Sequence, residues 1–167
     1  MEIQTQLLTS RQIAQRINRI AYQIYEDNVD EQGIIIAGIA NGGYVFAKRL
    51  ETILNNICEI KTQLIRLTLD KENPVIHSME PTISKASLKN KVVVVVDDVL
   101  NSGKTLIYSL RPFLEADIKK IRTVLLVNRD HKLYPVEADF VGITLSTSLH
   151  EHVSVSLEEG KEAVWLS

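Results

Sequence analysis

The chain has 167 residues, of which 45% are hydrophobic and 24% are charged, so it is long and apolar enough to bury one substantial core. A formal net charge of −2 and a pI near 6.1 argue against a generally basic surface for nucleic acids or membranes, but leave a local basic patch open. A single cysteine, a polar start after Met1 and the lack of any apolar run long enough to cross a bilayer exclude an internal disulfide and predict a cytoplasmic protein.

The first part of the chain predicts alternating helices and strands. Isoleucines at three- and four-residue spacing indicate an amphipathic helix, and Thr9 with Gln12 has the form of a capping box at its start. The predicted elements, in chain order, are a helix over 7–28, a buried strand over 34–37, a glycine-bearing turn over 38–43, a helix over 44–55 and a strand or strand pair over 58–69.

Residues 70–90 form the one long stretch without clear periodicity, and they include Pro74 and Pro81. A connection of this length without secondary structure is uncommon inside a compact domain, and it is usually either a functional loop or a disordered one. We therefore predict a loop here.

Five consecutive valines over 92–96 are typical of a central parallel strand that is covered on both faces. The elements predicted after it are a helix over 105–116 that Pro112 kinks or ends early, a buried strand over 121–127, and short half-exposed strands over 140–143, 153–156 and 164–166. No linker or repeat divides the chain, so this order predicts one α/β domain over residues 1–167 with a doubly wound sheet.

The segment after the five valines combines acids with a glycine turn. Asp97 and Asp98 end the strand, where open α/β sheets bind ligands. The turn over 101–105 then opens a helix, whose unpaired amides, together with the hydroxyls of Ser102 and Thr105, suit a phosphomonoester. The carboxylates can accept hydrogen bonds from the adjacent hydroxyls of a ribose and can hold hydrated Mg²⁺. These features together predict a sugar-phosphate site.

Two other interpretations of this segment compete with the sugar-phosphate site. Gly103, Lys104 and Thr105 match the end of a P-loop, but Asp98 stands where that motif needs its first glycine. An Asp-capped turn with Lys104 on a solvated face is the second alternative. The complete string, which follows a five-valine strand, favours the sugar-phosphate site over both.

The string VVVVVDDVLNSGKT resembles the motif with which type I phosphoribosyltransferases bind phosphoribosyl pyrophosphate (PRPP). The resemblance implies their α/β fold, a central mostly parallel sheet with helices on both faces and a small hood. It also implies transfer of the phosphoribosyl group to a nitrogenous base, with Mg²⁺ as cofactor. Asp97 and Asp98 would contact the ribose hydroxyls and, largely through substrate and water, the metal. The residues that would bind the 5′-phosphate are Asn101, Ser102, Gly103, Lys104 and Thr105.

The turn after the first buried strand lies where this family places its pyrophosphate loop. The resemblance therefore assigns the pyrophosphate to Ala40, Asn41, Gly42 and Gly43, although an ordinary glycine-rich turn is the alternative. Residues 70–90 lie where the family has a mobile catalytic loop that excludes water from the reaction. Arg66 and Lys85 could reach the pyrophosphate from this region or could be ordinary solvated charges.

Within the family the chain is most similar to the PyrR-like group, pyrimidine-operon regulators that double as uracil phosphoribosyltransferases. That similarity implies uracil as the base and a homodimer. Three departures stand out. Where this chain has Ala-Asn-Gly-Gly over 40–43, the group usually has Lys-Thr-Arg-Gly, so two cations are missing. Where this chain has Asn-Arg-Asp-His over 128–131, the group has Asp-Arg-Gly-His. Arg129 and His131 are candidates for the base or nucleotide side, with a polar strand-end turn as the alternative. Asn101, where this group usually has an aromatic residue and purine-type members have an aspartate, cannot act as a general base, which disfavours a purine.

The alternative function is a non-catalytic, nucleotide-sensing regulator of pyrimidine genes that binds RNA. The cations that could form its basic face are Arg11, Arg16, Arg19, Lys48 and Arg49. The acidic pI and the missing loop cations favour instead two amphipathic helices with solvated outer surfaces. Other base specificities stay open, because backbone groups build much of such a pocket.

Overall fold

The computed structural model describes residues 4–70, 76–148 and 150–167. Its elements, in chain order, are β1 (Thr5–Thr9), α1 (Ser10–Asp27), β2 (Gly33–Ile39), α2 (Gly42–Ile57), β3 (Lys61–Leu69), β4 (Ile76–Glu80), α3 (Lys85–Leu88), β5 (Val92–Leu100), α4 (Lys104–Leu114), β6 (Lys120–Asn128), β7 (Phe140–Thr144), β8 (Val153–Ser156) and β9 (Ala163–Leu166). No helix within these ranges is long and apolar enough to span a membrane.

A six-stranded sheet with the order β4-β3-β2-β5-β6-β7 forms the centre of the molecule. All neighbouring strands are parallel except β4, which runs antiparallel to β3 at one edge. The five valines of β5 are fully buried, and their side chains alternate between the two faces of the sheet. Val92, Val94 and Val96 join the core under α1 and α2, whereas Val93 and Val95 join the core under α4. The prediction of a central parallel strand covered on both faces is therefore confirmed.

The start of the first helix differs from the prediction. The capping box is present, with the amide of Gln12 bonded to the Thr9 side chain and the Gln12 side chain bonded to the Thr9 amide. Because an N-cap residue precedes the helix, α1 begins at Ser10, and the prediction of helix from Leu7 was wrong by three residues. Those residues belong to β1, in which Leu8 is buried and pairs with Val164 of β9.

A second, three-stranded sheet has the order β1-β9-β8 and is antiparallel throughout. It joins the amino-terminal strand to a hairpin that lies more than 140 residues later in the chain. Its strand β8 contacts β5, the strand that carries the two acids. The small sheet therefore reaches the carboxyl ends of the strands of the central sheet and forms the small hood that the resemblance implies.

Part of the predicted loop over 70–90 has regular structure. It contains the edge strand β4 and the single-turn helix α3, which Ser84 caps by accepting a hydrogen bond from the amide of Ser87. A five-residue edge strand and a four-residue helix are too short to show a hydrophobic period, so the sequence did not reveal them. Residues 71–75 lie outside the described residues, and the mobility of the segment stays a prediction.

At its carboxyl end, α1 is joined to the sheet by ion pairs of Asp27. The carboxylate accepts hydrogen bonds from Arg122 Nε at 2.9 Å, from Arg122 Nη2 at 3.1 Å and from Lys120 Nζ at 2.9 Å. The hydrogen bond from Arg122, followed by that from Lys120, lowers the pKa of Asp27, although partial burial opposes the shift. The folded state therefore holds this group in its charged form more strongly than the unfolded chain does.

We expect Asp27→Asn to lower the free energy of unfolding by about 1 kcal/mol at pH 7. Because the folded pKa lies below the unfolded value of about 4, the contribution is complete above pH 4 and disappears as the pH falls through the folded pKa. Urea unfolding at pH 7 and at low pH measures both effects. Asp30→Asn, three residues further on an exposed turn, is the control and should cost little at either pH. An equal loss for Asp27→Asn at both pH values would contradict the electrostatic explanation.

Candidate active site

A cleft of about 540 Å³ lies at the carboxyl ends of the parallel strands. Its lining comes from four parts of the chain: the turn after β2, the end of β3, the end of β5 with the following turn, and strand β8 of the small sheet. The turns predicted to bind pyrophosphate and 5′-phosphate therefore face one cavity, although some 60 residues separate them in the chain. This is the position at which open α/β sheets bind their ligands.

Asp97 and Asp98 are half-buried residues within β5, and both line the cleft. Asp97 Oδ1 accepts a hydrogen bond from the amide of Asp98 at 2.9 Å, and Asp98 Oδ1 accepts one from the amide of Val99 at 2.8 Å. One oxygen of each carboxylate is thus held by the backbone, which fixes the direction in which each group points. Two adjacent carboxylates in this arrangement suit the paired hydroxyls of a sugar.

The turn over 40–43 packs directly against these acids. Ala40 has a positive φ of 42°, and its amide donates to the carbonyl of Leu67 at 2.6 Å, which ties the turn to β3. A Cβ atom at Gly42 would lie 1.9 Å from Asp98 Oδ2, so only glycine permits this close approach. Asn41 then caps α2, whose first amides have no partner within the helix. Ala40, Asn41 and Gly42 line the cleft, whereas Gly43 is buried behind them.

The turn over 101–105 lies on the other side of the acids and opens α4. Gly103 has a φ of 83° and caps the helix, and Ser102 Oγ accepts a hydrogen bond from the amide of Lys104 at 3.2 Å. The carbonyl of Ser102 accepts hydrogen bonds from the amides of Leu133 and Tyr134, which fix the turn to the segment after β6. The lining residues from this turn are Asn101, Ser102 and Thr105, while Gly103 and Lys104 shape it without lining the cavity.

Arg129 and His131, the candidates for the base side, do not line the cleft. Arg129 is only 9% exposed, and its guanidinium donates to Asn101 Oδ1 at 2.8 Å, to Thr147 Oγ1 at 3.2 Å and to the carbonyl of Glu151. His131 Nε2 contacts the carbonyl of Thr147. Arg129 therefore connects the segment before β8 to Asn101 of the turn over 101–105, and His131 contacts the same segment at Thr147. A contact with base or nucleotide stays a prediction for both.

The side chain of Asn101 is oriented by this contact. A guanidinium only donates hydrogen bonds, so the amide oxygen of Asn101 must face Arg129. The amino group of the same side chain then points away from the guanidinium, and Asn101 lines the cleft. The cleft lining thus includes a neutral amide side chain where an aspartate would place a carboxylate.

Six lining residues were not among the predicted site residues, namely Ile39, Leu69, Asp70, Val99, Val153 and Val155. Asp70 follows the end of β3, and this position after a predicted parallel strand was a signal that could have identified it. Val153 and Val155 of β8 form an apolar wall. Their alternation predicted a half-exposed strand, but nothing local indicated that this strand lies beside β5.

The described residues include no group of three or more His, Cys, Asp or Glu side chains that could hold a metal ion by themselves. Mg²⁺ prefers oxygen ligands and commonly binds through one or two carboxylates while keeping water and substrate phosphates. The neighbouring carboxylates of Asp97 and Asp98 fit that mode of binding and would not suffice for a closed protein site.

Three of the five cations proposed for a basic face are engaged within the chain. Arg19 donates to the carbonyls of Val141 and Gly142, and Arg49 forms a 3.0 Å ion pair with Glu162. Arg16 donates to the carbonyl of Gln12 in its own helix. Glu162 neutralises the charge of Arg49, whereas Arg16 and Arg19 keep their charge because a carbonyl is neutral.

Comparison with known proteins identifies relatives over nearly the whole length. The phosphoribosyl transferase domain family matches residues 4–159. The bifunctional protein PyrR of Clostridium novyi is 32% identical, over 95% of this chain and 93% of that protein. The bifunctional protein PyrR of Clostridioides difficile is 34% identical, over 95% of each.

Solved structures show the same architecture. A hypoxanthine phosphoribosyltransferase of Trypanosoma cruzi superposes with a TM-score of 0.77, covering 97% of this chain and 95% of that chain at 16% identity. A purine phosphoribosyltransferase of Pyrococcus horikoshii superposes with a TM-score of 0.64, covering 82% and 85% at 31% identity. The predicted α/β fold, with its mostly parallel sheet and hood, is confirmed.

Proposed function

Because this chain belongs to the type I phosphoribosyltransferase family and is similar to proteins named PyrR, we propose that it transfers the phosphoribosyl group of PRPP to uracil. The observation that carries the proposal is the meeting in one cleft of two backbone-held carboxylates, a glycine turn and a second turn that opens a helix. PRPP needs a site for each of its ribose, pyrophosphate and 5′-phosphate groups, and these three features supply them.

In the proposed reaction, the bond from C1′ to the pyrophosphate oxygen breaks, a bond from C1′ to a ring nitrogen of the base forms, and the proton of that nitrogen passes to water or to the released pyrophosphate. The sugar becomes oxocarbenium-like between these events. Asp97 and Asp98 hold the ribose hydroxyls and stabilise the positive charge that develops on the ring. The 5′-phosphate turn, Asn101 to Thr105, contributes remote binding energy that orients C1′ toward the base.

The turn formed by Ala40, Asn41, Gly42 and Gly43 binds the leaving pyrophosphate with the amides at the start of α2. Mg²⁺, held at Asp97 and Asp98 through substrate and water, would neutralise charge on the leaving group. We further propose that residues 1–167 act as one catalytic domain, in which the segment 70–90 closes over the cleft. Asp70, which lines the cleft at the start of this segment, supports that role.

One feature supports uracil over a purine. The amide of Asn101 has no proton that titrates near neutral pH, so it cannot remove a proton from a purine base as an aspartate can. The similar structures named hypoxanthine and purine phosphoribosyltransferases make purines the essential comparison.

The test is incubation of the purified protein with PRPP, Mg²⁺ and separately uracil, xanthine, guanine, hypoxanthine, adenine or orotate, followed by chromatographic detection of nucleotide. We expect uridine monophosphate from uracil and the slowest conversion with the purines. Conversion of a purine alone would overturn the assignment of the base and keep the reaction. Absence of nucleotide with every base would overturn the proposed activity.

The second candidate function is a nucleotide-sensing regulator that binds RNA. The similar proteins are named bifunctional, and this name supports keeping the second candidate. A gel-shift titration with a uridine-nucleotide-responsive leader RNA at increasing salt separates the two. Tight retention together with no turnover would favour the regulator.

We also propose that the protein is cytoplasmic, because it has a single cysteine. We propose that it forms a homodimer, because the family resemblance implies one.

A further inference from the structure

Among the described residues that line the cleft, none is a lysine or an arginine. The turn over 40–43, which would bind a pyrophosphate, carries no cation of its own. Backbone amides and a metal ion can neutralise part of such a ligand, but a pyrophosphate group carries several negative charges and calls for a further positive group.

Arg66 brings a guanidinium to this turn from the neighbouring strand. It lies in β3 opposite Gly38 of β2, three residues before Leu69, the last residue of β3. Its Nη2 donates to Asn41 Oδ1 at 2.7 Å, and its Cζ lies 5.1 Å from the centre of the Tyr44 ring. The guanidinium is thus held by the N-cap residue and by a first-turn residue of α2. A hydrogen bond and a cation–π contact together fix a side chain that would otherwise sample many rotamers.

Two ordinary explanations for Arg66 fit the contacts less well. A solvated charge on a strand would extend into water, whereas this side chain is half-buried against the turn. Glu80 lies opposite Arg66 in the pairing of β3 with β4 and would be its natural ion-pair partner. Within the described ranges, however, the guanidinium donates to the neutral amide of Asn41. A guanidinium has five N–H donors, so most of its hydrogen-bonding capacity remains for a ligand.

We propose that Arg66, anchored by Asn41 and Tyr44, supplies the positive charge that binds the pyrophosphate group at the turn over residues 40–43. The inference rests on the proposed function and adds a binding residue that lies outside the turn itself. The charge is delivered by the adjacent strand, which lets the turn keep small residues and its close approach to Asp98.

Calorimetric titration with two ligands tests this without requiring turnover. Inorganic pyrophosphate with Mg²⁺ probes the turn over 40–43, and ribose 5-phosphate probes the 5′-phosphate turn. We expect Arg66→Met to weaken pyrophosphate binding about 10-fold or more, because a charged hydrogen bond is lost, and to leave ribose 5-phosphate binding within about twofold. Arg66→Lys keeps the charge and should recover part of the affinity, more at low than at high salt.

Two further variants complete the design. Arg111→Met removes the same charge from a 71% exposed side chain on α4 and should bind pyrophosphate as the wild type does. Asn41→Ala keeps Arg66 but removes its anchor, so it should weaken pyrophosphate binding by less than Arg66→Met. Thermal melting of each variant establishes that it is folded.

The outcomes separate this inference from the proposed function. Equal pyrophosphate affinity in the wild type and in Arg66→Met would overturn the role of Arg66 while leaving the enzyme in place. A matching loss of ribose 5-phosphate binding in Arg66→Met would also overturn it, because the effect would then be general. A wild-type protein that bound neither ligand would refute the PRPP site and this inference together.

Discussion

Replacing Asp97 and Asp98 together by asparagine is expected to lower kcat by about 10³-fold or more while the protein remains folded. The carboxylates are the groups that would stabilise positive charge on the sugar in the transition state, and an amide carries no negative charge to do so. Asparagine retains the oxygen that accepts the amides of Asp98 and Val99, so the end of β5 keeps its hydrogen bonds. Loss of turnover should therefore be separable from loss of structure.

The measurement is the initial rate of nucleotide formation at saturating PRPP, with the base that the substrate panel identifies. Thermal melting of the same samples reports on folding, and Asp30→Asn controls for the removal of a carboxylate outside the cleft. Each single variant should lose less than the double variant. Full activity of the double variant would refute the assignment of these acids, whatever their position in the cleft.

The sequence was most informative where local pattern and tertiary environment agree. Five β-branched residues in a row fit only a strand that is covered on both faces, and the acids that follow such a strand must lie at its carboxyl end. The position of Asp97 and Asp98 in a cleft was therefore predictable. The same holds for the two turns, because the carboxyl ends of neighbouring parallel strands meet at one edge of the sheet.

Features that depend on long-range pairing could not be predicted in this way. Leu8 looked helical because isoleucines with helical spacing follow it, yet its pairing with Val164 in the small sheet decides its conformation. The apolar wall from Val153 and Val155 depends on the same sheet. Local sequence does not encode that β8 lies beside β5, so this apolar wall of the cleft could not be predicted.

Side-chain roles were the least predictable level. For Arg129 the sequence left open a ligand contact and a polar strand-end turn; the structure shows it buried and bonded to Asn101, Thr147 and Glu151, and a ligand contact stays a prediction. For Arg66 it left open a contact with pyrophosphate and a solvated charge, and the structure shows the side chain bonded to Asn41. The hydrogen-bond partners of both arginines depend on which segments the fold brings together, so local sequence does not reveal them.

The second large effect is expected for Gly103→Val, which should raise the dissociation constant of ribose 5-phosphate and the KM for PRPP about 10-fold or more. Gly103 has a φ of 83°, in the left-handed region that costs an L-residue about 1–2 kcal/mol. A Cβ there would also lie 2.7 Å from Val136 Cγ1, a buried side chain that cannot easily move aside. Both effects would displace the turn that carries Ser102 and Thr105.

Gly160 provides a matched control, because it has a φ of 79° and a Cβ there would meet no atom within 4 Å. Gly160→Val therefore carries the backbone cost alone, and it should lower stability without changing the affinity for either ligand. Adding Val136→Ala to Gly103→Val removes the methyl group in conflict and should restore part of the ribose 5-phosphate binding. Pyrophosphate binding should survive in Gly103→Val, the reverse of the pattern expected for Arg66→Met. If Gly103→Val bound ribose 5-phosphate as tightly as the wild type, the turn over 101–105 would not be the 5′-phosphate site.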